Sequence, residues 1–207
     1  APLPQGRLRE ASAAGLLDTL KRLASEGAAE IFLLPFSPEF GLLEREMLAH
    51  LLTDARRATG AATHYDEGSF DHLLVVQALA ERAQQAAAAA GLRADRTGVV
   101  VAAAGEGDTK SRAVAYSLMR QIWETAGFTA GEVGFLRHAH PFLRAVLERI
   151  APQPLDWVAA PLELFPGERH DHLAQIVDDH NRVSGMRVIL AEPAGPHPAL
   201  AAWIAHS

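Results

Sequence analysis

Four histidines form two closely spaced pairs in the second half of the chain, His138 with His140 and His170 with His172. Each pair follows a segment predicted as a strand, so we expect both pairs on loops at one edge of a sheet. Neutral imidazoles that hold a divalent ion loosely and take up protons suit a site that handles a metal. These four side chains are therefore predicted to form a metal site. Alternatively, His140 packs beside Pro141, and the other pair is solvated at the start of a helix.

Residues 105–110, Gly-Glu-Gly-Asp-Thr-Lys, lie between a predicted strand and a predicted helix. Such a loop can bind phosphate, but the dinucleotide fingerprint fails because Lys110 replaces its third glycine, and the Walker pattern is absent. Glu106 would also repel a phosphate. The favoured interpretation is a tight turn in which Asp108 or Thr109 caps the helix. If the histidines bind a metal, Glu106 or Glu168 is available as a carboxylate.

The composition narrows the chemistry further. The 207 residues include no cysteine, which excludes disulfide scaffolds, cysteine-ligated iron–sulfur clusters, thiolate zinc sites and cysteine nucleophiles. Because 19 basic residues face 25 acidic ones, for a net charge of -6, nucleic acid is not predicted as a partner. We find neither a membrane-spanning apolar stretch nor a signal-peptide pattern, so we expect no membrane partner and a cytoplasmic location.

Helical periodicity and short apolar runs alternate along the chain. Alternation of this kind predicts an α/β fold with parallel sheets, right-handed crossovers and helices on both faces. A further group, Asp178, Asp179 and His180, is interpreted as a solvated helical face. Strands are predicted near residues 31–34, 62–65, 98–104, 132–136, 156–160 and 187–191, and helices near 8–26, 42–59, 69–90, 109–126, 141–150, 171–183 and after 198.

The sequence also repeats itself at an offset of 126 residues, the distance from Pro35 to Pro161. The same offset relates Leu74 to Leu200. A repeat of this length indicates two similar structural units. We predict a partial unit over residues 1–93 and a second unit over 94–207, because the strand that begins at Gly98 has no counterpart in the first unit. The chain is then a fragment, or the first unit has lost its opening elements.

Four segments of the second unit carry recognisable motifs. They are the strand and Gly-x-Gly turn of residues 100–108, residues 135–141 with their His-Pro ending, Pro-Leu-Glu-Leu-Phe-Pro-Gly in 161–173, and Ala-Glu-Pro-Ala-Gly-Pro-His-Pro-Ala-Leu at 191–200. Together they resemble the class II chelatases of the sirohydrochlorin cobaltochelatase (CbiX-like) type, and residues 16–80 match more faintly. The resemblance implies two doubly wound units with four-stranded parallel sheets, the first incomplete, and insertion of Co²⁺ or Fe²⁺ into a tetrapyrrole.

The family's metal-handling histidines correspond to other residues in this chain. The histidine of the opening Gly-His-Gly turn corresponds to Glu106, and a second one to Arg169 and, in the first unit, Leu43. A carboxylate that some members use falls on Arg137. Arginine and lysine suit the acidic substituents of a macrocycle. The resemblance and the residues together predict catalytic groups at Glu106, His140 and His170, and substrate-binding groups at Arg137, Arg169 and Lys110.

Two functions remain open from the sequence. The first is a chelatase of cobalamin or sirohaem biosynthesis, which takes a divalent metal as substrate, needs no organic cofactor, and binds the tetrapyrrole between its two units. The second is a catalytically degenerate chelatase-like domain that binds a tetrapyrrole or a metal, or serves as an interaction domain of a larger protein. A homodimer or further domains of the same polypeptide fit either function. A weaker third interpretation is an unrelated doubly wound enzyme, since this architecture serves many functions.

Overall fold

The structure is a computed structural model that describes residues 13–33, 42–65, 72–105 and 109–201. Helices and strands alternate along it, which confirms the predicted α/β fold. A 3₁₀ turn, Ala94–Arg96, precedes the third strand, and residues 198–201 begin a further helix. The elements in chain order are α1 (Ala13–Ser25), β1 (Glu30–Leu33), α2 (Leu42–Thr59), β2 (Ala62–Tyr65), α3 (His72–Ala89), β3 (Thr97–Ala103), α4 (Thr109–Ala126), β4 (Ala130–Phe135), α5 (Leu143–Ile150), β5 (Asp156–Pro161), α6 (Glu168–Ser184) and β6 (Val188–Leu190).

The strands form two parallel sheets. One contains four strands in the order β4-β3-β5-β6, and the other pairs β1 with β2. The chain leaves β3 toward β4 on one side and returns to β5 on the other, so the winding direction reverses beside β3. In doubly wound sheets, ligands bind outside the carboxyl ends of the strands at such a reversal. None of the described helices is both long and apolar enough to cross a membrane.

Both faces of the four-stranded sheet are buried. Val99 and Val101 face a core formed with α3 and α4, whereas Val100 and Trp157 face α5 and α6. Side chains alternate between the two faces of a strand, so a strand covered on both sides reads as a continuous apolar run. Every residue of β3 is accordingly buried.

The two-stranded sheet packs against α1 and α2 on one face. Leu20 of α1 and Leu48 of α2 contact the cluster that contains Ile31. On the opposite face, Phe32 is 70% exposed, and its ring stacks on His64 of β2 at 4.8 Å. The two sheets therefore differ in how much of each face is buried.

The order and spacing of the elements follow the predicted repeat. The series α1-β1-α2-β2 recurs as α5-β5-α6-β6, and both α6 and β5 begin 126 residues after their counterparts α2 and β1. Helix α2 has 18 residues and α6 has 17. The strand pairing also shifts by one residue. Ile31 pairs with Thr63, whereas its equivalent Trp157 pairs with Val188, one residue before the equivalent of Thr63.

Helix α3 lies before the predicted boundary at residue 93, yet it packs against α4 and β5. The boundary itself stays a prediction. The predicted residues 8–12 of the first helix and 69–71 of the third lie outside the described residues.

Candidate functional site

Three loops lie side by side at the carboxyl edge of the four-stranded sheet. The backbone N–H of Arg137, after β4, donates to the carbonyl of Ala104, after β3, at 3.0 Å. The N–H of Leu162, after β5, donates to the carbonyl of Ala102 at 2.8 Å. These hydrogen bonds bring together three loops, and the loop after β4 carries the predicted site residues Arg137, His138 and His140.

The loop after β3 begins with a glycine that the local backbone requires. Gly105 has a φ of 80°, a left-handed conformation that residues with a Cβ rarely adopt. An added Cβ would also collide with the carbonyl oxygen of Arg137 and lie 2.9 Å from the Cβ of Phe135. Glu106 lies outside the described residues, and Lys110 is exposed at the start of α4.

The loop after β4 presents its two histidines to solvent. His138 and His140 are both exposed, and His138 has a φ of 54°, which is uncommon for any residue except glycine. The ring of His140 lies 4.3 Å from that of Phe142 and is tilted relative to it. His140 therefore packs on a neighbouring ring beside Pro141, as the alternative interpretation predicts.

The loop after β5 contains a residue that sequence reasoning missed. Both carboxylate oxygens of Glu163 are buried, two positions beyond the end of β5. Acidic side chains are seldom buried, because removing a carboxylate from water is costly. The signal was present in the sequence, where Glu163 interrupts the apolar run from Pro161 to Phe165. Its position and burial make Glu163 a candidate functional group.

The second histidine pair belongs to helix α6. The helix begins at Glu168, three residues earlier than predicted, so His170 and His172 lie in its first turns. Both are half-buried, and the Nδ1 atom of His170 is buried without a hydrogen-bond partner among the residues that the structure describes. Arg169, which is half-buried, lies beside His170. Because α6 starts early, His170 and His172 lie on a helix rather than on a loop.

One ion pair connects the loop after β4 with α6. The guanidinium of Arg137 lies 3.7 Å from the carboxylate of Glu168, and the two side chains are 41% and 87% exposed. Pairs as exposed as this one contribute little to stability. Arg137 therefore remains accessible to an acidic ligand.

The structure does not bring the four histidines together as a metal site. Within residues 13–33, 42–65, 72–105 and 109–201, no group of three or more His, Asp or Glu side chains is placed to hold a metal ion. The physical reason for the second pair is helical geometry, because residues two apart on a helix do not face each other. His170 and His172 thus lie on a helix and not on the loop that the sequence predicted, and their role as metal ligands stays a prediction.

His180 also differs from its sequence interpretation. It is half-buried on α6 rather than solvated, and its Nε2 atom is buried without a hydrogen-bond partner in the described part of the chain. Burial lowers the pKa of His180, and the charge of Glu148 partly opposes this shift. Asp178 is exposed as expected. The charge of Glu148 on α5 therefore acts on this partly buried histidine of α6.

Comparison with known proteins places the chain in a family. The model of the CbiX family matches residues 98–207, and no curated protein sequence matches the chain. SirB from Bacillus subtilis with Fe³⁺ has a similar structure, with a TM-score of 0.71 and 14% identity over 92% of this chain and 75% of SirB.

Two further solved structures share the fold. One is CbiX, described as the terminal enzyme for biosynthesis of siroheme in denitrifying bacteria, with a TM-score of 0.61 and 20% identity over 94% of this chain and 92% of that one. The other is a multi-domain protein from Deinococcus radiodurans with structural similarity to chelatases, with a TM-score of 0.59 and 15% identity over 90% of this chain and 42% of that one. Since the family match covers more than half of the sequence, including the whole four-stranded sheet apart from Thr97, the chain belongs to the CbiX family of class II chelatases.

Proposed function

We propose that this protein is a sirohydrochlorin chelatase that inserts Co²⁺ or Fe²⁺ at the carboxyl edge of the four-stranded sheet. The family assignment supports metal insertion into a tetrapyrrole. The choice of this site depends on one observation, the buried carboxylate of Glu163. Glu163 lies on the loop that joins β5 to helix α6. The proposed setting is the cytoplasm, without a nucleic-acid partner.

Metal insertion has a simple balance of charge. The divalent ion enters the macrocycle, and two protons leave the pyrrole nitrogens of the macrocycle, so the charge that enters equals the charge that leaves. A site must therefore accept protons and exchange the water ligands of the ion. Glu163 and His170 are proposed for these steps, because each places a buried polar atom near the same edge. Glu106 and His140 stay proposed as further acid–base groups, and His138 and His172 as further metal contacts.

Acidic substituents of the macrocycle require cations at the rim of the site. Arg137 is proposed as the principal one, since it is partly exposed and its contact with Glu168 is a long one, at 3.7 Å. Arginine binds carboxylates through two parallel hydrogen bonds. Arg169 and Lys110 are proposed to bind substituents further along the same edge.

The assay follows the absorbance of sirohydrochlorin during incubation with Co²⁺ or, anaerobically, Fe²⁺. Replacement of Glu163 by Gln keeps the volume but removes the negative charge, and we expect insertion to slow by about 100-fold, the lower range for loss of a general base. Glu148→Gln serves as the matched control, since Glu148 is an exposed carboxylate on α5. A wild-type rate equal to the spontaneous rate would refute the proposed function.

A second function is favoured by one specific observation. The family's metal-handling positions hold Glu106, Arg169 and Leu43 instead of histidine. A catalytically degenerate domain would still bind the tetrapyrrole through Arg137. Quenching of sirohydrochlorin fluorescence by the protein, with no acceleration of metal insertion, is the outcome that distinguishes this function from the first.

A further inference from the structure

The residues that follow β6 form an irregular but buried segment, residues 191–197, which we call the C-terminal segment. Ala191, Ala194 and His197 are 1%, 0% and 7% exposed. A segment without regular hydrogen bonding is rarely buried unless other groups satisfy its backbone. The groups that form hydrogen bonds with this segment therefore show what holds it in place.

Helix α3 binds the C-terminal segment through two consecutive charged side chains. Arg82 donates from both Nε and Nη2 to the carbonyl oxygen of Ala194, at 3.3 and 3.2 Å. Glu81 places Oε2 3.0 Å from Nε2 of His197. Hydrogen bonds that involve a charged group are stronger than neutral ones. The helix thus holds the segment at two points, Ala194 and His197.

The hydrogen bonds of His197 define which ring nitrogen carries the proton. Its Nδ1 atom accepts the backbone N–H of Ala199 at 3.2 Å, so Nε2–H donates to Glu81. Hydrogen bonds from Gln77 and then His197 keep the pKa of Glu81 below its usual value, and the charge of Arg82 acts in the same direction. Glu81 is therefore an anion at neutral pH, and it fixes the orientation of the imidazole.

The other side of the C-terminal segment contacts the candidate site. The N–H of Gly195 donates to the carbonyl of Leu164 at 2.6 Å, and the N–H of Ala191 donates to the carbonyl of Ala159 in β5 at 2.9 Å. Leu164 is the residue next to Glu163. The segment therefore connects helix α3 with the loop that carries the buried carboxylate.

We propose that Glu81, Arg82 and His197 are positioning residues that hold the loop of residues 162–167 in place for metal insertion. They act through Gly195 and Leu164 rather than by touching the substrate. Small displacements of catalytic groups lower rates strongly, because the reacting geometry must be held closely. The expected effect on metal insertion rests on the proposed function. The contacts that join α3, the C-terminal segment and the loop do not depend on that function.

The test compares Glu81→Ala with Glu81→Gln, which keeps a hydrogen-bond acceptor for His197. Glu124→Ala is the matched control, since Glu124 forms an exposed ion pair with Arg120 within α4. Hydrogen–deuterium exchange of the full chain is measured first. We expect the amides of residues 162–170 and 191–199 to exchange about tenfold faster in Glu81→Ala, with the β3 amides unchanged.

Steady-state kinetics with sirohydrochlorin and Co²⁺ provide the second measurement. We expect kcat of Glu81→Ala to fall about tenfold with little change in KM, and Glu81→Gln to recover most of the loss. Unchanged exchange in residues 162–170, a uniform rise across the whole chain, or faster exchange with an unchanged kcat would each overturn the proposal. If exchange rises locally but the wild type inserts no metal, the positioning contacts stand and the proposed function fails.

Discussion

The two sheets of this protein are built from the same order of elements but differ in their surroundings. The series α1-β1-α2-β2 of the first sheet recurs as α5-β5-α6-β6 in the second. The second sheet has two more strands, β3 and β4, and both of its faces are buried. The first sheet buries Ile31 on one face and exposes Phe32 on the other. The repeat thus specifies local structure, while neighbouring strands and helices decide what becomes a core.

The burial patterns of the equivalent strands β5 and β1 show this difference directly. In β5, the residues from Trp157 to Pro161 are all buried, whereas burial alternates along β1. Parallel strands that are covered on both faces need apolar side chains at every position. The candidate site lies at the edge of the sheet that has this complete core. A rigid sheet is better suited to hold several loops in a fixed arrangement.

The largest expected effect compares two equivalent core positions. Trp157 is fully buried and lies 126 residues after Ile31, which is 6% exposed. We expect Trp157→Ala to lower the free energy of unfolding by about 3 to 5 kcal/mol. Ile31→Ala is expected to cost about 2 kcal/mol, the lower end of its range, because fewer layers surround it. Urea denaturation followed by circular dichroism measures both, and equal losses would contradict the difference between the two sheets.

A second comparison uses two glycines with similar backbone conformations. Gly105 and Gly60 have φ of 80° and 72°. An added Cβ at Gly60 meets nothing within 4 Å, whereas at Gly105 it collides with the Arg137 carbonyl. Gly60→Ala should cost about 1 kcal/mol for the left-handed backbone alone. Gly105→Ala should cost about 1 to 3 kcal/mol more, because the neighbouring loop must shift.

Thermal denaturation of both glycine variants checks this second prediction. Because Gly105 packs against the loop that carries Arg137, its replacement should also weaken sirohydrochlorin binding, which Gly60→Ala should leave unchanged. Equal destabilisation by the two variants would show that the loop after β4 moves at no cost.

Much of the fold could be predicted because it depends on local pattern. The bounds of α2, β2 and α4 agree with the apolar periodicity, and β3 is recognisable from its unbroken apolar run that begins at Gly98. The 126-residue repeat aligns Ile31 with Trp157 from the sequence alone. Each strand and helix boundary among these predictions depends on residues that are close in sequence.

The candidate site was harder to predict because it depends on long-range contacts and on one helix boundary. Gly167 is extended and Glu168 begins α6, where the positive end of the helix dipole favours an acidic residue. This start places His170 and His172 on a helix rather than a loop. The sequence signal for Glu163 is a carboxylate that interrupts an apolar run, but this local pattern does not reveal that its oxygens are buried.

The smallest expected effect concerns acid stability and again compares equivalent positions of the repeated series of elements. His180 on α6 is half-buried, and the equivalent residue of α2, Asp54, is exposed. Burial lowers the pKa of His180 from its ordinary value of 6.5, despite the opposing charge of Glu148. Below that pH the unfolded chain binds a proton that the folded chain excludes, so the free energy of unfolding falls as the pH falls.

His180→Gln should remove part of this acid sensitivity. Between pH 7 and about 5.5, we expect the urea midpoint of the wild type to fall more than that of the variant, since glutamine does not titrate over this range. Asp54→Asn is the matched control, because it changes an exposed side chain at the equivalent position of α2. If the wild type and His180→Gln show the same pH profile, the acid sensitivity does not arise from the burial of His180. The difference between the two repeated series of elements would then depend on their sheets alone.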